Sequence, residues 1–166
     1  RVHFNSSVET RIDLEEVRRH TKELVETKNI KALAVCFLHS YINPSHESAV
    51  VNLVQNEFPN LYVSSSSDVY PNMREFERWT TTAINAYTRP MIDQYFAKLE
   101  KDIERLGFKG QLYIMTSSGG MLSPITARRF PVRLLESGPA AGMLMSAVQG
   151  RTLKLPNILS FDLGGT

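Results

Sequence analysis

From about Arg74 to Leu106, the residues Phe76, Thr80, Ala83, Ile84, Tyr87, Met91, Tyr95, Leu99, Ile103 and Leu106 recur every three or four positions. That is the period of an α-helix, and Gly107 stands where such a helix closes. Kept straight, the helix extends roughly 50 Å at 1.5 Å per residue, longer than one side of a small sheet. Pro90 interrupts the stripe, removes one backbone donor and crowds the preceding turn. The pattern therefore predicts a kink or two helices end to end. A chain carrying such an element must build the rest of its fold around it.

On the N-terminal side the pattern alternates. Arg1 to Phe4 reads as the end of a strand. Asp13 is placed as an N-cap, with Glu16 at the capping-box position, and Leu14, Val17, Thr21, Leu24 and Val25 keep a helical stripe to about Lys28. Ala32 to Leu38 is an unbroken apolar run, as in a strand covered on both faces. Asn43-Pro44 opens a second helix with Pro at its first position and Ala49, Val50, Leu53 and Val54 inward. Leu61 to Ser65 is a short strand, and Ser64–Ser67 reads as an ordinary loop. After the long helix come a strand over Gln111 to Met115, a short helix from Ser123-Pro124 and a helix of small residues to about Val148. Ile158 to Phe161 is the last predicted strand. Alternating strands and helices argue for an α/β architecture.

Bulk properties narrow the function classes. An apolar share of 42% and a charged share of 22% in 166 residues suit a globular domain with a real core. A net charge of +2, with no basic run beyond two residues, gives no reason to expect a nucleic-acid partner. No apolar stretch approaches a membrane span, so no membrane partner is expected. The single cysteine, Cys36, lies in the apolar run and reads as packing; with no disulfide framework, a reducing, cytoplasmic location is the default. The chain opens on Arg1 and closes inside a glycine turn, so it is expected to be a piece of a larger protein.

Several motifs carry possible chemistry. Ser160-Phe161-Asp162-Leu163-Gly164-Gly165-Thr166 leads from apolar residues into an acid, two glycines and a hydroxyl. A carboxylate there suits a metal ion or its water, and the glycines let N–H groups approach phosphate oxygens; a plain strand-ending turn is the competing reading. Glu136-Ser137-Gly138-Pro139-Ala140-Ala141-Gly142 makes a stiff turn before a helix expected near Pro139, whose N-terminus would face an anion, or else a hinge. Thr116-Ser117-Ser118-Gly119-Gly120 follows an apolar strand, where open α/β sheets bind ligands. Its hydroxyls and glycines suit a carbonyl or phosphate oxygen, with a structural turn as the alternative. Arg74 and Arg78 stand four apart on one helical face and form a candidate grip on a carboxylate or phosphate, against the reading of a solvated helix end. His39 and His46 bracket a loop without a third ligand at metal-site spacing. No residue presents itself as a general base.

Taken in order, these residues resemble the hydantoinase/oxoprolinase family: ATP-dependent N-methylhydantoinase A, 5-oxoprolinase and the related ketone-carboxylase subunits. The likeness is carried by Ala34 to Tyr41 with Asn43-Pro44 and His46-Glu47, by Arg74-Glu75-Phe76-Glu77-Arg78, and by Thr81-Thr82 and Asn85-Ala86-Tyr87. Ser117, Gly119-Gly120, Ser137 to Gly142 and Phe161 to Thr166 complete it. The Arg-Glu-aromatic-Glu-Arg and Asn-Ala-Tyr segments look more like the hydantoinase and ketone-carboxylase branches than the oxoprolinase branch. Ser118 stands where family members often have Asn or Asp, and Trp79 where a small or polar residue is usual.

The resemblance implies part of an actin-like ATPase fold: two RNase H-like lobes, each a mixed sheet flanked by helices, with ATP between them. Residues 1–130 would then be the later part of the first lobe. Residues 131–166 would be the interlobe segment and the first strand of the second lobe, ending in its phosphate loop. It further implies ATP with Mg2+ or Mn2+, Asp162 at the metal or its water, Gly164, Gly165 and Thr166 at phosphate, and Gly138 at the interlobe turn. Arg74, Arg78, Ser117, Ser118, Gly119 and Gly120 are the substrate candidates. The implied activity is opening of a hydantoin or similar lactam or imide ring through phosphorylation of its carbonyl, in concert with a second subunit. The alternatives are the ATP-using subunit of a ketone carboxylase and a non-catalytic nucleotide-binding member of the same fold. The 166 residues alone are expected to be inactive.

Overall fold

The computed structural model describes residues 1–164, and these divide into two compact units, Arg1–Gln94 and a second beginning at Tyr95. In the first unit, helix α1 (Leu14–Lys28) starts where Asp13 predicts. Its carboxylate accepts from the N–H groups of Glu15 and Glu16 at 2.9 and 3.1 Å, satisfying two of the orphan donors of the first turn. Asn29 ends the helix in the left-handed conformation. Strand β1 (Ala32–Val35) pairs in parallel with β2 (Tyr62–Ser65), and helix α2 (Ser45–Glu57) connects them, a βαβ unit. Helix α2 begins one residue later than expected, because Pro44 serves as its N-cap and the Asn43 side chain accepts from the Ser45 N–H at 3.1 Å.

The core of this unit is Val35, Val50, Val54, Leu61 and Val63, with Val17 and Val25 of α1 packed against it. Burying each of these side chains stabilises the unit by about 1.5–3 kcal/mol. The apolar run at Ala32–Leu38 pairs over only its first four residues. Beyond Val35 the backbone leaves the ladder because the Phe37 N–H and C=O are taken by side chains from elsewhere. Ser64–Ser67, expected as a loop, is instead the end of β2 and the start of a one-turn helix, α3 (Ser66–Val69), all of it at least half-buried. Small hydroxyl side chains fit this site because each meets a polar partner.

The long helix exists as one element, α4 (Glu75–Arg105), with Pro90 inside it. It closes at Gly107, whose φ is +81°; the Gly107 N–H reaches Glu104 O at 2.9 Å and the Phe108 N–H reaches Ile103 O at 3.2 Å, a Schellman stop. Its orientation is not what an apolar stripe suggests. Phe76, Ile84, Tyr87 and Met91 are exposed, whereas Arg78, Thr82, Asn85 and Ala86 are buried. The helix turns a mostly polar face inward, toward the end of β2.

In the second unit, β3 (Ile114–Met115) and β4 (Met121–Leu122) form an antiparallel hairpin. Helix α5 (Pro124–Arg129) follows, capped by the Ser123 hydroxyl, then a 3-10 turn (Pro131–Leu134) and helix α6 (Ser137–Leu153). Helix α6 starts at Ser137, so Gly138-Pro139 lies within its first turn rather than forming a separate turn; proline is tolerated there because a first-turn N–H has no intrahelical partner. Residues 158–161 are not a strand. A strand requires a ladder partner, and no strand among the described residues runs beside them.

Candidate functional site

In the first unit, α2, α3 and α4 each send one polar side chain to a shared centre. The Arg78 guanidinium is fully buried; it donates to Phe37 O at 2.9 Å, Asn72 O at 2.6 Å and Ser66 Oγ at 3.2 Å. The Tyr41 ring covers it at 5.4 Å, a cation–π contact. Ser66 in turn donates to Glu47 Oε1 at 2.7 Å. Glu47 is also fully buried and accepts from the Phe37 N–H at 2.8 Å and the Ser67 N–H at 2.8 Å. A buried charge is tolerated only when it is paired and hydrogen-bonded. Here Ser66 couples the two, and together they fix the loop after β1 and the turn after β2. Thr82 and Asn85 extend the polar face, to Arg78 O and Ser64 Oγ.

Arg78 therefore does not share a ligand-facing surface with Arg74. Arg74 is exposed and pairs with Glu77 at 3.4 Å, while the donors of Arg78 point into the protein. Sequence reasoning passed over Glu47 and Ser66. A signal existed: Glu47 lies three and seven residues before Val50 and Val54, on the apolar side of α2, where an acid needs an internal partner.

Beside this centre is a cleft of about 570 Å³, lined by Cys36, Phe37, His39, His46, Trp79 and Ile12, together with residues of the segment before α1. His39 Nδ1 and Trp79 Nε1 are buried and have no hydrogen-bond partner among the described residues. Each such orphan costs about 1–3 kcal/mol. His39 also holds a left-handed backbone, φ +57°. Burial, then the charge of Glu47, push the Cys36 thiol up to about 11, so it is protonated at neutral pH. Burial, joined by the N-terminal ammonium, holds His46 below its ordinary value. No cluster of three metal-ligating side chains occurs among the described residues.

In the second unit the turn between β3 and β4 is closed on itself. The Ser117 N–H and hydroxyl both donate to Arg133 O, at 2.9 and 3.1 Å. Ser118 Oγ lies 3.0 Å from Thr116 Oγ1, the Gly119 N–H donates to Thr116 O at 3.0 Å, and the Gly120 N–H donates to Thr116 Oγ1 at 3.1 Å. Gly119 has φ +81°, which only glycine adopts without strain. Ser117, Ser118, Gly119 and Gly120 are thus engaged in holding the turn.

Helix α6 begins with Glu136 in the left-handed region and no side-chain cap. Its first-turn N–H groups are the kind of donors that bind anions, and a Cβ added at Gly138 or Gly142 would meet nothing within 4 Å. At its other end the chain reverses at Lys154, and residues 155–164 fold back along the helix. Ile158 sits where a Cβ on Gly150 would be, 1.8 Å from its Cδ1, and Ser146 Oγ donates to Ser160 Oγ at 3.1 Å. Asp162 and Gly164 continue this segment, both exposed. Gly165 and Thr166 lie outside the described residues.

The hydantoinase/oxoprolinase family model matches residues 78–166, and the model of the family's N-terminal region matches residues 1–58. The chain belongs to the hydantoinase/oxoprolinase family. An uncharacterized protein of Methanocaldococcus jannaschii is 34% identical over all of this chain and 24% of its own length. The caprolactamase subunit alpha of Pseudomonas jessenii is 30% identical over 84% of the chain and 20% of its own length. The crystal structure of the ATP-dependent caprolactamase from that organism superposes with a TM-score of 0.87 at 28% identity, covering 100% of this chain and 24% of the other. A nucleotide-free acetone carboxylase superposes with a TM-score of 0.79 at 25% identity, over 93% of this chain and 22% of that one. The chain thus spans a fifth to a quarter of these relatives. The fold is the expected one, an α/β portion of an actin-like ATPase-type architecture. Within this hydantoinase/oxoprolinase segment, no helix among the described residues is long and apolar enough to cross a membrane.

Proposed function

We propose that this segment belongs to a cytoplasmic ATP-dependent amidohydrolase that opens a hydantoin, lactam or similar cyclic amide. In this reading residues 1–130 are the later part of the first lobe and residues 131–166 lead into the second. The single observation that carries the reading is the fold-back of residues 155–164 on α6. Ile158 pairs with Gly150 and Ser160 with Ser146, so two residues of the tail match four of the helix. That is the ratio of roughly 3.3 Å per extended residue to 1.5 Å per helical residue. Continued, it carries Asp162 to the level of Gly142 and Gly164 to that of Gly138, beside the uncapped N-terminus of α6.

The residues suit the nucleotide that the family implies. Open space over two glycines and free first-turn donors fit a phosphate. A lone exposed carboxylate at Asp162 fits a hard cation that keeps waters and phosphate oxygens as its other ligands, as Mg2+ does. ATP would supply the phosphoryl group that turns a poorly electrophilic amide oxygen into a leaving group. The residues' part is to hold the phosphates in line and neutralise charge. Arg78 and the 116–120 turn act by shaping the scaffold, and Arg74 is the substrate candidate left with an exposed guanidinium.

A second reading, the ATP-using subunit of a ketone carboxylase, is favoured by the likeness to acetone carboxylase. Either enzyme would work with a second subunit. Steady-state ATP turnover by the full-length protein and its partner separates them. Stimulation by hydantoin or a lactam without bicarbonate supports the first reading, and stimulation by a ketone only with bicarbonate supports the second. ATP binding with no stimulation by any of these would contradict both.

A further inference from the structure

The cleft of the first unit is not used by the proposed phosphate site, and its chemistry is specific. Its inner wall is built from Cys36, Phe37, His39, His46 and Trp79. Two buried nitrogens in that wall, His39 Nδ1 and Trp79 Nε1, lack partners among the described residues. An indole N–H only donates, so its missing partner is an acceptor; a neutral imidazole nitrogen accepts or donates. The backbone at His39 is held in its left-handed conformation by Ile42 and Asn43, whose N–H groups donate to His39 O at 3.1 and 3.0 Å. The ring is therefore fixed by the loop rather than free to find a partner elsewhere. The thiol and the neighbouring imidazole add no fixed charge to this wall, consistent with a raised Cys36 and a lowered His46. Charged side chains enter the lining only from the segment before α1, at Arg1, His3 and Glu9. A volume of about 570 Å³ is within the range of small-molecule sites.

We propose that this cleft binds a small neutral amide or lactam, with Trp79 Nε1 donating to its carbonyl oxygen and His39 Nδ1 accepting from its N–H. A secondary amide is the compact group that offers an acceptor and a donor side by side without charge. The chemistry agrees with the proposed reaction but does not depend on it. Binding here needs no nucleotide, so loss of ATP-dependent activity and loss of this site are read separately.

The test is titration of the full-length, 15N-tryptophan-labelled protein with 2-pyrrolidone in the absence of ATP. The signal followed is the Trp79 indole N–H, assigned by its disappearance in Trp79→Phe. A saturable shift is expected, with cyclopentanone, which lacks the N–H, binding at least about fivefold more weakly, as one lost hydrogen bond implies. His39→Gly suits φ +57° and removes the ring, so it should weaken 2-pyrrolidone by at least about fivefold while the indole signal stays dispersed. An unmoved indole signal, or equal shifts with cyclopentanone and in His39→Gly, overturns the proposal. Should the Phe variant misfold, the alkylation rate of Cys36 in the same wall decides between the outcomes. Slowing by saturating 2-pyrrolidone supports the site, and an unchanged rate refutes it.

Discussion

The two compact units solve the problem of burial differently. The first keeps an aliphatic core between β1, β2 and α2, and sets beside it a fully buried centre of Arg78, Glu47 and Ser66. The second buries little: Phe96, Thr116, Ala127, Pro131 and Gly150 are its buried residues, while Met143, Leu144, Met145 and Val148 of α6 are exposed. In the first unit, specificity comes from polar groups that fit one arrangement only. In the second, α6 and the segment folded on it are held by a missing side chain at Gly150 and one hydroxyl contact. A rigid scaffold and a lightly held phosphate loop are compatible roles, since binding elements are drawn from the less stable parts of a fold.

The comparison breaks first at Arg78. Arg78→Ala leaves Glu47 and the carbonyls of Phe37 and Asn72 without their partner, and should cost on the order of 3–5 kcal/mol in urea denaturation. Hydrogen exchange should speed up across β1, β2 and α2 while α6 keeps its rate. Glu47→Gln is milder: the amide sets an N–H against the Ser67 N–H, for an expected loss of about 1–3 kcal/mol. Equal weakening of both units by either change would mean that they do not differ as described.

On the other side, Gly150→Ala should strengthen α6 by about 0.5–1 kcal/mol through helix propensity but push Ile158 from its seat. Faster proteolysis of residues 155–164 without a loss of helicity is the expected signature; an unchanged tail would remove the register argument. Cys36 should resist alkylation at pH 8 and react as pH approaches about 11, because only the thiolate attacks; rapid modification at pH 8 would show the wall of the cleft to be open.

The smallest effect lies on the surface, where Arg18 of α1 donates to Glu57 of α2 at 2.7 and 2.8 Å. The hydrogen bond from Arg18 lowers the Glu57 pKa. A depressed carboxylate contributes stability that is present above its unfolded pKa, roughly 4.3, and is lost as pH falls through the folded value. Arg18→Ala should therefore remove a small part of the stability difference between neutral and acid pH, and nothing more.

Much of this was legible. Asp13, Pro44, Ser123 and Gly107 mark helix ends because capping is local chemistry, readable from a few neighbours. The orientation of α4 was not, because its apolar side, Phe76, Ile84, Tyr87 and Met91, is the exposed one. Arg78, Glu47 and Ser66 were obscure for the same reason: their partners are 12 to 41 residues away in sequence. The strand expected at Ile158 to Phe161 failed because apolar composition cannot supply a ladder partner. The phosphate motif was the reverse case, plain as a pattern of glycines and an acid, with its geometry emerging only from Gly150 and Ser146.

The central claim is that Asp162, carried to the N-terminus of α6, serves nucleotide chemistry. The direct test is lactam-stimulated ATP hydrolysis by the full-length protein with Asp162→Asn. Asp162 touches no other described side chain, so the fold should be untouched. The account predicts a fall in kcat/KM for Mg-ATP of about 100-fold or more with unchanged thermal unfolding. Turnover within about twofold of the unaltered protein would contradict it.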